Sequence, residues 1–243
     1  MRSEREIHTI EYGLKIEQSK LILVLLSILF SLTVSALSFL IRTTYFSDLG
    51  LIETNFIRAA RMTLIYVIFP YLFTRTFLDP SYSIEDVGLT IQGSKKGVYL
   101  GIILYTVVLA ILINQLGDSD FKSDWVDSLK SESLLTLVFY AFLASWMAAI
   151  TDLWARGYIL FQICKYSSFH VGILFQTLIW MLIHWYEIDL LTPNLGFLYS
   201  FTLTLFLGIG GGFITLKTRN ITGLVIGHIW LNIGFLLAVK IIL

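Results

Sequence analysis

The stretch LLTLVFYAFLASWMAAITDLWARGYILFQIC, from Leu134 to Cys164, decides the fold. It opens with an uninterrupted uncharged run as far as Ile150. A bilayer crossing needs about 20 mostly apolar residues. The stretch exceeds one perpendicular crossing, which predicts a helix that is tilted or runs past the membrane surface. Inside it lie a carboxylate and a guanidinium, Asp152 and Arg156. Charges at such depth are expensive, so each is a functional hypothesis by default.

Outward from this segment the same pattern repeats. Apolar runs at Leu21–Ile41, Ile57–Thr74, Gly97–Leu116, Phe169–Tyr186, Gly196–Leu216 and Gly223–Leu243 predict six further spans. The chain therefore reads as an all-α, polytopic transmembrane bundle of about seven helices, six to eight at the limits. Asp79-Pro80-Ser81, the polar and acidic stretch Asp118–Glu132, Thr192-Pro193-Asn194 and the basic segment Lys217–Asn220 read as connections. Val34-Ser35-Ala36 resembles a signal-peptide cleavage site, but the run around it is long for a signal and more spans follow. A retained anchor is expected.

Composition agrees. Of 243 residues, 56% are hydrophobic and 14% are charged, and the mean hydropathy is +0.79. A soluble domain carries about 25% charged residues. The formal net charge is zero, which argues against nucleic acid as a partner, because phosphate binding needs a basic stripe. Cys164 is the single cysteine, so no intrachain disulfide and no zinc knuckle can form. No linker composition divides the chain. It reads as one membrane domain: a cytoplasmic N-terminal segment over 1–20, N-terminal transmembrane helices over 21–133, and a core over 134–243 that carries the chemistry. With the N-terminus inside, eleven of the 17 basic residues fall on the inner side and six, Arg58 and Arg61 among them, on the outer, so a cytoplasmic N-terminus is expected.

Three polar pairs stand out, each at i and i+4 on one helix face. They are Asp152 with Arg156, Trp180 with His184, and His228 with Asn232. Singly, each has a plain explanation. Asp152 and Arg156 form an internal ion pair, a buried histidine is hydrogen-bonded, and polar pairs join membrane helices. Together they supply a carboxylate, an arginine, two histidines and an asparagine. Hydrolysis needs a base for water, donors for an oxyanion and a site that excludes bulk solvent, and this inventory fits. Gly208-x-x-x-Gly212 and Gly223-x-x-x-Gly227 have the small-residue spacing that lets helices approach closely.

The order and spacing of these residues resemble the CAAX prenyl protease type II family, the CAAX proteases and bacteriocin-processing enzymes. Its pattern is Glu-Glu-x-x-x-Arg, then Phe-x-x-x-His, then His-x-x-x-Asn on successive spans. The likeness covers Leu134 to Ile242, with Gly208–Gly212 and Thr222-Gly223-Leu224 before Gly227-His228 as supporting context. It implies an intramembrane endopeptidase, in one reading a zinc enzyme, acting near the cytoplasmic side on a prenylated peptide, a leader peptide or another membrane protein. On that template His184 partners the water, and His228 and Asn232 serve the oxyanion or a metal. Arg156 orients the carboxylate, and Trp180 and Thr151 lie against the substrate. Asp152, His184 and His228 form the candidate zinc ligands, and activation of water without a metal is the alternative.

Two positions depart from the pattern. Trp180 replaces phenylalanine and keeps an aromatic ring. Thr151-Asp152 stands where the family has paired glutamates. A threonine hydroxyl has no useful basicity. Asp152 is rotated about 100° from position 151 on a helix of 3.6 residues per turn. A misplacement of about 1 Å costs on the order of a hundredfold in rate. Two functions follow from the resemblance: an active endopeptidase, or a pseudoprotease that serves as a membrane scaffold, a regulator or a bacteriocin-immunity protein. A transporter would show inverted repeats with matched broken helices, and none is detected.

Overall fold

In the computed structural model, residues 4–45, 49–90, 95–116 and 124–242 are described, with backbone alone for 4–16, 43, 116, 124, 125 and 242. The elements are α1 (Glu4–Tyr45), α2 (Leu51–Thr63), α3 (Phe69–Phe77), α4 (Lys95–Leu116), α5 (Asp124–Ser131), α6 (Leu134–Asp152), α7 (Leu160–Tyr166), α8 (Phe169–Ile183), α9 (Trp185–Leu195), α10 (Phe197–Thr218) and α11 (Thr222–Ile242). Six helical spans among the described residues are long and apolar enough to cross a bilayer, and α8 with α9 makes a seventh if that bent pair counts as one. Leu26, Phe30, Phe139, Leu174 and Phe206 are exposed, whereas Asp152, Arg156, Gln176 and His228 are buried. Apolar side chains face outward, as lipid requires, and the polar ones are kept between helices.

Each irregularity in the spans has a local cause. Between α2 and α3 the helix widens to π geometry over Leu64–Ile68, immediately before Pro70. In π register residue 70 would donate to the Ile65 carbonyl, but proline has no N–H. The Ser31 hydroxyl of α1 donates to that carbonyl instead, at 3.1 Å. A second π segment, Leu153–Ile159, joins α6 to α7 within one span, Leu134–Tyr166. Between α8 and α9 the axis bends by 69° at His184. There the Trp180 carbonyl accepts both the backbone N–H of His184, at 3.2 Å, and its ring Nδ1–H, at 2.9 Å. Side-chain insertion of this kind is a recognised origin of kinks.

Three connections differ from the sequence expectation. Thr192-Pro193-Asn194 lies inside α9, and the chain turns only at Gly196, whose φ of 79° suits glycine. Asp118–Glu132 is not all loop: Asp124–Ser131 is helical as α5, and its Val126 and Leu129 pack with Leu137 and Val239. The rest of that acidic stretch up to residue 123 falls outside the described residues. The Lys217–Asn220 connection is shorter than expected, since α10 continues to Thr218 and the chain turns at Arg219, φ 53°. On the connection after α3, Ser81 and then Lys165 hydrogen-bond Asp79 and hold its carboxyl down at about 2.

The helices that carry the site are drawn together by glycine. A Cβ on Gly223 would run into the backbone of Gly97 and Val98, and one on Gly227 would lie 2.7 Å from the Gly101 carbonyl oxygen. The Gly223-x-x-x-Gly227 face thus seats α11 on α4. Gly208 faces Thr177 and Trp180, so the second glycine stripe seats α10 on α8. Loop residues hold the start of α11: Ile221 N–H donates to Gly88 O at 2.9 Å, and the Thr222 hydroxyl to Thr90 O at 3.2 Å.

Gly223→Val should lower the thermal denaturation midpoint in detergent, with a cost of about 1–3 kcal/mol typical of overpacking. Gly210→Ala, where an added Cβ meets only Leu104 at 3.9 Å, should leave the midpoint nearly unchanged.

Candidate active site

Arg156 is wholly buried at the centre of the bundle. Its position in the π segment after α6 brings it under α4, α8 and α10. The guanidinium donates to Asp152 Oδ1, to the Tyr105 hydroxyl at 2.5 Å and to the Leu207 carbonyl at 2.9 Å. Its Cζ stands 3.6 Å from the Trp180 ring centroid. A desolvated cation over an aromatic face gains about 2 kcal/mol or more. Gly211 makes room for it: a Cβ there would lie 2.5–2.7 Å from the guanidinium atoms.

From Arg156 two arms lead to the histidines. In the first, the second Asp152 oxygen, Oδ2, accepts from His228 Nδ1 at 3.1 Å, and the Tyr105 ring stacks on His228 with centroids 4.8 Å apart. In the other, Trp180 stacks on His184 at 3.8 Å. The two imidazole centroids are 5.9 Å apart. His184 stands at the bend itself, beside His228 near the start of α11.

Hydrogen bonding sets the tautomers. A carbonyl and a carboxylate only accept, so His184 and His228 each carry a proton on Nδ1. Nε2 is the remaining polar atom of each ring, and both rings line one cavity of about 330 Å³. Asn232 lines it too, with Nδ2 donating to the Ala144 carbonyl at 3.3 Å. So does Thr151, whose hydroxyl is turned back to Ala148 O at 2.8 Å. Trp180 forms part of the wall although it is almost fully buried.

Asp152 and Arg156 do not line the cavity. Asp152 stands behind His228, with one oxygen held by Arg156 and the other by the imidazole. It orients His228 and does not meet a water in the cavity. The candidate zinc set of Asp152, His184 and His228 is not gathered around one point: among the described residues no three His, Cys, Asp or Glu side chains converge as metal ligands. With both Asp152 oxygens engaged, these residues do not fit a zinc centre.

Several contributors have no counterpart in the sequence motifs. Tyr105 of α4 closes the ring of contacts between Arg156 and His228. Glu187 of α9 lines the cavity one turn beyond His184, and its Oε2 is buried without a partner. A carboxylate in an apolar run three residues after a histidine was the available signal. Arg58 and Arg61 of α2 also line the cavity, although both count as outer-side charges in the sequence tally.

Residues 130–234 match the model of the family described as Type II CAAX prenyl endopeptidase Rce1-like. This segment contains all three polar pairs and both glycine stripes. No curated protein and no solved structure matches the chain.

Breaking one side of the central pair should be costly, because a buried charge is left uncompensated. Arg156→Met and Asp152→Asn are each expected to lose about 3–5 kcal/mol. The double variant should lose clearly less than the two together, measured by unfolding in detergent. Additive losses would mean that the two side chains act independently.

Proposed function

We propose that the chain is an intramembrane endopeptidase of the CAAX-processing type that activates water with Glu187 and His184, and not with a carboxylate at position 151. One observation carries this reading. A cavity between the helices presents two imidazoles, an asparagine amide and a carboxylate oxygen without a partner. Hydrolysis calls for those groups and for exclusion of bulk water. The family match over 130–234 supports the reaction class.

In the proposed reaction a water sits between Glu187 and the free Nε2 of His184. As its oxygen bonds to the scissile carbonyl carbon, its proton passes to this acceptor pair. The carbonyl oxygen becomes an oxyanion. The Asn232 amide donates to it, and His228, oriented by the Asp152 carboxylate on its Nδ1 side, supplies a second donor from Nε2 when it enters the step as the imidazolium. When the carbon–nitrogen bond breaks, the amine leaves with the proton held by the Glu187–His184 pair. Asp152 has the part that a buried carboxylate plays behind a catalytic histidine: it holds tautomer and orientation and stabilises the imidazolium. The cytoplasmic placement of the N-terminus is proposed on the distribution of basic residues.

The Thr151 hydroxyl, tied to its own helix, favours a second reading: a non-catalytic relative that keeps the cavity as a binding site in a membrane scaffold, a regulator or an immunity protein.

Cleavage of prenylated and leader-type peptides in detergent separates the two. The endopeptidase reading predicts turnover by the wild type and a loss of at least about a hundredfold, the scale of general acid–base catalysis, in both His184→Ala and Glu187→Gln. Turnover that survives Glu187→Gln overturns the assignment of the base. An inert wild type that is activated by Thr151→Glu supports the non-catalytic reading.

A further inference from the structure

The walls of the cavity grow more exposed in one direction only. On α4 they begin with Tyr105 and Val108, both buried, and reach Leu112, which is partly exposed. On α11 they pass from His228, buried, to Leu231 and Phe235, partly exposed. These two helices run parallel, since Gly97 meets Gly223 and Gly101 meets Gly227. α6 runs against them, with Asp152 beside His228 and Ala144 beside Asn232. Its gradient is reversed accordingly: Thr151 and Ala148 are buried, Ala144 and Tyr140 partly exposed. The cavity therefore opens toward the end of the bundle where α6 begins and α11 finishes. Beneath the imidazoles the way is closed. Asp152, Arg156, Ile221 and Leu224 are wholly buried there. Among the described residues no lining group lies beyond Thr151 on α6 or ahead of His228 on α11.

The closed end carries the basic connections. Lys20 lies 6.0 Å from the Tyr166 ring, and Lys165 pairs with Asp79 at 2.9 Å. A Cβ on Gly97 would touch Thr218, and Ile221 N–H donates to Gly88 O. The α3–α4 connection, the end of α7 and the α10–α11 turn thus meet at one end with the early part of α1. Lys20, Arg75, Lys95, Lys96, Lys165, Lys217 and Arg219 belong to it. Outside the cavity, the described basic residues of the open end are Arg42, Lys130 and Lys240. Arg58 and Arg61 line the cavity and Arg156 is in the core, so none of the three is a loop charge. Lys and Arg of short connections collect on the cytoplasmic side. On that rule the closed end is cytoplasmic and the opening faces away from the cytoplasm, the side opposite to that implied by the family resemblance.

We propose that the cavity is entered from the extracytoplasmic side and takes an apolar segment of an exported peptide. The proposal rests on the orientation given above and, for the peptide, on the endopeptidase reading. From Phe235 to His228 the wall descends about 10 Å at 1.5 Å per residue. That depth accommodates about three residues of extended chain at 3.3 Å each. Leu112, Leu203, Leu231 and Phe235 along the descent suit apolar side chains.

The test uses the chain's single cysteine to advantage. Cys164→Ser removes every thiol from the full-length protein. In that background Leu231→Cys reports from the cavity, Ser128→Cys from the open end and Glu85→Cys from the closed end. Spheroplasts of a bacterial host are treated with a membrane-impermeant sulfonated thiosulfonate, before or after lysis, and the remaining thiols are read as a gel shift with a polymer-linked maleimide. Leu231→Cys and Ser128→Cys should be modified in intact spheroplasts, and Glu85→Cys only after lysis. A pool of short apolar peptides added outside should slow modification at Leu231→Cys and leave Ser128→Cys unchanged. If Ser128→Cys reacts from outside but Leu231→Cys needs lysis or never reacts, the outward opening is wrong while the orientation stands. If Glu85→Cys reacts from outside and Ser128→Cys does not, the orientation itself fails and the proposal with it. Modification of Leu231→Cys that the peptides do not slow removes the peptide as occupant. An outward cavity in a protein that never cuts leaves the entry side standing and removes the peptidase reading alone.

Discussion

A guanidinium taken wholly out of water needs partners, and the core of this bundle is arranged around that requirement, with Nε alone of the Arg156 nitrogens left without a hydrogen bond. Arg156 receives a carboxylate from its own helix, a phenol from α4, a backbone carbonyl from α10 and the face of an indole from α8. Four segments are thereby held in register around one charge. The same contacts point both histidines into the cavity, because Asp152 fixes His228 and Trp180 supports His184. Structural and chemical roles are not separable here: the ion pair that makes the buried charge tolerable also orients the groups proposed to do chemistry.

Helix irregularity is the second element of the design. Irregular backbone inside a membrane is tolerated where protein or a cavity surrounds it, and here it falls at the cavity. The π segment at Leu153–Ile159 carries Arg156 and follows Asp152 directly, and the break at His184 places its imidazole beside His228. Such π segments are often found at functional sites. The break also directs α9 so that Glu187 lines the cavity. Thr151, the position where the resembled family has a glutamate, lines the same cavity.

Much of this was legible in the sequence because the bilayer imposes it. Apolar runs of span length located the transmembrane helices, closely for Gly97–Leu116, Leu134–Cys164, Gly196–Leu216 and Gly223–Leu243, whereas α2 begins at Leu51, ahead of Ile57, and α9 runs on past Tyr186 to Leu195. The i, i+4 pairs led directly to Asp152, Arg156, Trp180, His184, His228 and Asn232. What was not legible depends on tertiary contact. Asp152 looked like a candidate water or zinc partner, but its two oxygens are claimed by Arg156 and His228, and no periodicity reveals that. Pro193 read as a turn, yet the helix continues through it and breaks earlier, at a histidine. Tyr105 and Glu187 gain their significance only when α4 and α9 pack against the core. Arg58 and Arg61 were counted as topogenic charges because a tally by side cannot tell a loop arginine from one in a cavity wall.

The two imidazoles line one cavity, each held by a hydrogen bond at Nδ1. Nitrogen-15 NMR of histidine-labelled protein, with His184→Gln and His228→Gln variants to assign the signals, tests this directly. Protonated Nδ1 on both rings, with the His228 signal shifting in Asp152→Asn and the His184 signal unmoved, is the predicted result. An unprotonated Nδ1 on either ring, or a His228 signal indifferent to Asp152, would contradict it.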